Sequence, residues 1–131
     1  MAEAIGRAKP QLLELREHIR TVFRAKAARE PLPRASIAAL NDASRAAPEW
    51  TEIGTNGELE RRTQATAVKR LLAVYARSAI VIAADNEAQL RVCGAPSCGM
   101  FYRPRRRQQR WCSEPCGNRA RFARHYAARR R

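Results

Sequence analysis

The chain has 131 residues and a formal net charge of +14, with 45% apolar and 29% charged side chains. That length allows one domain, or one small domain with an appendage, around a single modest core, and that balance excludes an intrinsically disordered chain. There is no apolar run long enough to span a membrane, and MAEAIGRAKPQLLELREHIR lacks the apolar centre of a signal peptide, so an intracellular protein with reduced cysteines is expected.

The first segment, PQLLELREHIRTVFRAKAARE, has the spacing of an amphipathic helix. Leu12, Leu15, Ile19, Val22 and Phe23 recur at intervals of mostly three and four, Pro10 suits its first turn, and PLPR ends it. A shorter helix follows over residues 35–46, with Ile37 and Leu40 facing inward. Trp50 and Ile53 then precede Asn56-Gly57, and Leu59 follows it, which predicts a small hairpin. QATAVKRLLAVYARSAIVIAADN gives a third helix, with Val68, Leu71, Leu72, Tyr75, Ser78 or Ala79, and Ile82 on its apolar stripe and Asp85-Asn86 at its end. Three helices and a hairpin can share one core, which assigns residues 1–90 to a helical body.

Charge divides the chain. Residues 1–90 carry 14 basic and 11 acidic side chains, whereas residues 91–131 carry 12 basic ones against Glu114 alone. An end so basic points to a polyanionic partner. The same end holds all four cysteines, as Cys93-x4-Cys98 and Cys112-x3-Cys116 separated by a hairpin-sized spacer. Two close pairs at this spacing are the pattern of a tetrahedral zinc site, with one pair in a knuckle and the other leading into a helix, whose N-terminus favours thiolate charge. Four sulfurs leave no coordination position for an activated water. Two disulfides in an oxidising compartment, or four unliganded thiols, are the alternatives.

Between the cysteine pairs, Met100-Phe101-Tyr102 and Arg110-Trp111 read as two short strands joined by RPRRRQQ, with Phe101 and Trp111 covering the metal. From Ser113, a helix N-cap, a basic helix runs toward Arg131 with Phe122, Ala123 and Tyr126 facing inward. His125 has a surface or stacking role rather than that of a fifth ligand. Arg103, Arg105, Arg106, Arg107 and Arg110 on the hairpin, with Arg119, Arg121 and Arg124 on the helix, are the candidate nucleic-acid contacts. No Ser/His/Asp set, paired carboxylates or phosphate-cradling glycine loop is present, so no catalytic residue is assigned and the protein is expected not to be an enzyme.

RWCSEPCGNRARFARHYAARR, with Cys93-x4-Cys98 and Phe101-Tyr102 upstream, resembles the CGNR zinc-finger family. LELREHIRTVF, PLPRASIAALN, the hairpin and the 64–85 helix resemble the later part of the ABATE domain that precedes this finger in bacterial transcriptional regulators. MAEAIGRAK stands where the family has further opening residues, so residues 1–90 read as a shortened ABATE-like domain and residues 91–131 as the finger. The resemblance implies one structural zinc ion on Cys93, Cys98, Cys112 and Cys116, and it marks Trp111, Gly117, Asn118, Arg119 and Tyr126 as signature or structural positions. Gly117 is expected to let the helix approach the knuckle, Asn118 to bond the knuckle backbone, and Arg119 to reach either phosphate or the zinc sulfurs.

The expected fold is mainly α with small β-hairpins: a helical N-terminal body and a C-terminal treble-clef-like zinc finger of knuckle, hairpin and helix. The expected function is that of a bacterial zinc-finger DNA-binding protein, a transcriptional regulator on double-stranded DNA in the cytoplasm, associated with the nucleoid. The alternative is a zinc-stabilised protein-interaction or RNA-associated adaptor. A homodimer would suit an apolar helix face left over from the core. A small-molecule effector has no candidate residues in the sequence.

Overall fold

The structure is a computed structural model that describes residues 2–87 and 89–130, so Arg131 lies outside the described residues. It is 55% helical with two small antiparallel hairpins. The helices are α1 (Ala2–Ala28), α2 (Arg34–Arg45), α3 (Ala67–Ala84) and α4 (Glu114–Arg129). The strands are β1 (Trp50–Ile53) paired with β2 (Leu59–Arg62), and β3 (Arg91–Val92) paired with β4 (Phe101–Tyr102). Two compact units form: residues 1–22 with 32–84, and residues 23–31 with 85–131. Among the described residues no helix is long and apolar enough to cross a membrane.

In the first unit, Leu15 and Val22 of α1 are buried, as their spacing requires, and Leu40 of α2 is 2% exposed. Three expectations fail here. Helix α1 continues N-terminally past Pro10, which lies inside it rather than in its first turn. The ring costs one backbone bond and crowds the carbonyl four residues earlier, but that residue is Gly6, and the flanking AEAIGRAK is otherwise built mostly of good helix formers. The buried stripe of α3 is also rotated from the expected one: Ala73, Ala76 and Ala79 are its buried residues, while Tyr75 is 53% exposed. Small side chains let α3 pack closely on α2, and a tyrosine is too large for that seam. Ile37 of α2, expected inward, is likewise exposed, and Ser36 beside it is buried with its hydroxyl 3.2 Å from His18 Nδ1.

Two local devices fix these elements. Thr66 caps α3, accepting from the Lys69 backbone N–H at 3.3 Å. Arg77 of α3 donates to the carbonyls of Ser44 at 3.0 Å and Ala47 at 2.6 Å, satisfying acceptors that the C-terminus of α2 leaves open. Truncating Arg77→Ala is expected to destabilise this unit by about 2 kcal/mol, read as a lower urea midpoint, because charge-assisted bonds are lost and carbonyls are left unmatched. The β1–β2 hairpin forms with Ile53 opposite Leu59. Its turn is not the two-residue Asn-Gly type: Gly57 N–H donates to Gly54 O at 2.9 Å, so Thr55 and Asn56 are the central residues, and Gly57 takes the left-handed position at φ 81°. That is a three-residue loop, in which glycine supplies the positive φ.

Candidate metal centre and nucleic-acid interface

The second unit is built around sulfur. After β3 the chain turns through Cys93–Cys98 and returns as β4, with Cys93 N–H donating to Met100 O at 2.8 Å. Ser97 and Gly99 hold left-handed φ values of 60° and 61°, which bend the loop tightly enough to aim two thiols at one point. The other pair comes from the entry to α4: Cys112 just before it, and Cys116, buried in its first turn. All four Sγ atoms lie within 4.8 Å of one another. Cys98 and Cys112 are 3.7 Å apart, Cys112 and Cys116 3.5 Å, and Cys116 and Cys98 3.7 Å. A tetrahedron with metal–sulfur bonds of about 2.3 Å has edges of about 3.8 Å. The four cysteines are free thiols positioned to bind one metal ion, not two disulfides.

The surroundings tune these thiols. Burial pushes the Cys93 thiol up, but the backbone N–H groups of Cys112 and Ala95 pull it down further, and its net shift is below the ordinary value. The Cys112 N–H lies 3.3 Å from Cys93 Sγ. The Ser113 hydroxyl, followed by the Cys112 thiol, pulls Cys116 down to about 7, and the bond to Cys116 pushes Cys112 up to about 12. Ser113 occupies the N-cap position of α4 but makes no side-chain cap bond. Its hydroxyl is turned to the sulfurs instead.

Two assignments around the metal change. Tyr102 and Trp111 pack against the buried set of Cys93, Ala95 and Cys116, whereas Phe101 pairs edge-on with Phe23 at 5.8 Å. Adjacent strand residues point to opposite faces, so only one of Phe101 and Tyr102 can face the cysteines. The strand partner of β4 is also β3, not Arg110–Trp111, because the knuckle itself closes the hairpin. Arg110 contributes one ladder-like bond, accepting from Gly94 N–H at 3.2 Å.

Gln109 organises the arginine loop, a role that the sequence reading missed. Its backbone carbonyl accepts from Tyr102 Oη and from Arg91 Nη1, each at 2.8 Å. Its side chain accepts from Arg105 N–H at 2.8 Å and donates to Trp111 O at 2.8 Å. No spacing rule marks a glutamine at the end of a basic run. Arg105, Arg106 and Arg107 project from this braced loop and are exposed. With Arg103 and Trp111 they line an open groove of ≈1090 Å³ in which, among the described residues, Glu114 is the one carboxylate. Arg103 pairs with Asp85 at 3.8 Å, and the Arg110 guanidinium lies 5.6 Å from the centroid of the Trp111 ring. Among the described residues, the side chains of Arg105, Arg106, Arg107 and Arg124 have no hydrogen-bond or ion-pair partner.

Residues 89–130 match the CGNR zinc finger, and residues 2–86 match ABATE, described as a putative stress-induced transcription regulator. The chain belongs to the ABATE family. No curated protein matches it.

In this ABATE protein the residues that name the CGNR finger have distinct tasks. Gly117 makes room for an indole rather than for the knuckle: a Cβ there would lie 2.9 Å from Trp111 Cδ1 and 3.4 Å from Nε1. Gly117→Ala would gain about 1 kcal/mol of helix propensity but overpack a ring with little freedom, at about 1–3 kcal/mol. The clash is expected to win, giving a net loss of about 1 kcal/mol with a shifted Trp111 emission. Asn118 does not bond the knuckle; its Oδ1 accepts from Arg121 one turn on. Arg119 does reach the site, with Nη2 3.5 Å from Cys116 Sγ and Nη1 3.2 Å from Pro96 O. A zinc ion on four thiolates carries a net −2, so this guanidinium offsets charge and ties α4 to the knuckle. Phe122 and Tyr126, expected inward, are each 65% exposed, and Ala123 is exposed as well. The last buried position of α4 is Ala120, beyond which this small finger has no surface to cover them.

Proposed function

We propose that this protein is a bacterial DNA-binding transcriptional regulator that works by binding alone. The observation that carries the reading is that Arg105, Arg106, Arg107 and Arg124 have no side-chain partner among the described residues, on a finger whose four thiols are gathered for one ion. Held on a fixed scaffold, such side chains lose little freedom on meeting phosphate, and each neutralised phosphate adds a salt-sensitive contribution to affinity. The ABATE description as a transcription regulator supports the same reading. Four sulfur donors fill a tetrahedral set, which supports a structural ion and no catalysis. Work on DNA in a bacterium makes the protein cytoplasmic and nucleoid-associated.

Titrating duplex DNA against salt tests this. Four arginine–phosphate contacts predict a log–log slope of about −3.6. Binding indifferent to salt, or no duplex binding at micromolar protein in low salt, would instead favour a zinc-stabilised protein-interaction scaffold, and a clear preference for RNA would favour the RNA-associated one.

A further inference from the structure

Beyond Ala120, every described position of α4, residues 121–129, is exposed, as is Arg130 after it. A soluble helix that buries nothing over this length is normally polar all round. This one is not: Phe122 and Tyr126 are one turn apart on the same side, and Arg129 continues that side. Cys116, Gly117 and Ala120, the buried positions of the helix, lie on another side. The His125 ring meets Tyr126 edge-on at 6.1 Å, which limits where the phenol can turn.

Charge decides what can cover this face. From Arg119 onward α4 and its C-cap carry Arg119, Arg121, Arg124, Arg129 and Arg130 and no acidic side chain. A second copy would bring two such helices together, with like charges opposed and no carboxylates between them. A polyanion is attracted along the whole length. The dimensions agree: a helix is about 10–12 Å across with its side chains, and the major groove of B-DNA is about 12 Å wide. The nine helical residues past Ala120 extend about 14 Å, enough to cross several base pairs.

We infer that α4 enters the major groove of duplex DNA, with Phe122 and Tyr126 against base edges and the flanking arginines on the phosphates of the groove walls. Phenylalanine has no hydrogen bond to offer there, so its partner is the thymine methyl group, the apolar feature of that groove. Tyr126 adds a hydroxyl that can bond a neighbouring base, and Arg129 can address guanine. Phosphate contact supplies affinity without sequence information, and this face supplies the sequence preference. The inference rests on the DNA-binding reading above and assigns base contact to one side of one helix.

The experiment selects bound sequences from a random duplex pool, once with the wild-type protein and once with F122A/Y126A. Both substituted side chains are exposed, so the variant should keep its metal content and helical signal, and these are measured alongside. The wild type is expected to enrich an A·T-containing motif. The variant should still bind duplex with the same salt slope but prefer that motif by about tenfold less for each contacted position. Enrichment of the same motif by both proteins overturns the inference, as does wild-type binding that enriches none. A wild-type dimer that F122A/Y126A dissociates also overturns it, because the face would then be a self-interface. Failure of the wild type to bind DNA at all takes down the DNA-binding reading itself, and so is distinguishable from these outcomes.

Discussion

Stripping the metal is expected to unfold residues 89–130 while α1, α2 and α3 keep their helical signal. The buried set of the finger is Cys93, Ala95 and Cys116, with Cys98, Tyr102, Trp111 and Cys112 packed on it. Among the described residues of the finger, Leu90 is the one buried aliphatic side chain larger than alanine, and it lies outside that set. Ordering each residue costs about 1.5 kcal/mol, and a core of this size cannot offset that over the length of the finger. Structural zinc in finger peptides supplies about 10–16 kcal/mol at neutral pH, far more than any single side chain here. The protein has two tryptophans, one in each unit, so Trp50→Phe leaves Trp111 as the reporter. One equivalent of metal should leave with the chelator, and the near-UV signal of Trp111 should collapse with it. A Trp111 signal that survives complete metal removal would contradict the expectation. Cys116→Ser should reach the same end state without chelator.

Acid should act in the same direction. A metal ion takes thiolates, so filling the site releases protons, and affinity falls as pH falls. Cys116, pulled down to about 7 beside Ser113, is readier to ligate than Cys112 and keeps its thiolate to lower pH than Cys112 does. Cys112, pushed up to about 12 by its bond to Cys116, yields its proton only when an ion replaces it.

The metal centre was legible in the sequence because its whole ligand set is four residues in two short loops, and the pair spacing alone decides whether sulfurs can meet. The helices were legible for a similar reason: burial of Leu15, Val22 and Leu40 repeats at turn spacing. What stayed hidden is what spacing does not encode. Phe122 and Tyr126 stand four apart whether they pack on a core or wait for a partner, and only the extent of the finger beneath them tells which. Strands of two residues such as β3 and β4 carry no alternation, so the pairing of β4 with Arg91–Val92 rather than Arg110–Trp111 left no trace. Tyr75 looked like core because it is large and apolar, yet the α2–α3 seam selects for smallness. Gln109 acts mostly through its backbone carbonyl, an atom every residue has.

Replacing Arg105, Arg106 and Arg107 together by alanine is expected to lower duplex affinity by a few hundredfold at 0.1 M salt and to reduce the log–log slope by about 2.7. The arithmetic is one phosphate per arginine at about 0.9 each. Preorganisation lets this loop deliver the full effect. Arg105 N–H is pinned to Gln109, whose carbonyl is held by Tyr102 and Arg91, so the loop reaches DNA already shaped and loses little entropy there. The three guanidinium groups bond nothing among the described residues, so their removal should leave metal content and thermal stability unchanged. Arg119 provides the contrast. Its guanidinium lies on Cys116 Sγ and Pro96 O, so Arg119→Ala should loosen metal retention as well as DNA binding. A triple variant whose slope matches the wild type would mean that the loop faces solvent in the complex, and that the phosphate contacts belong to α4 alone.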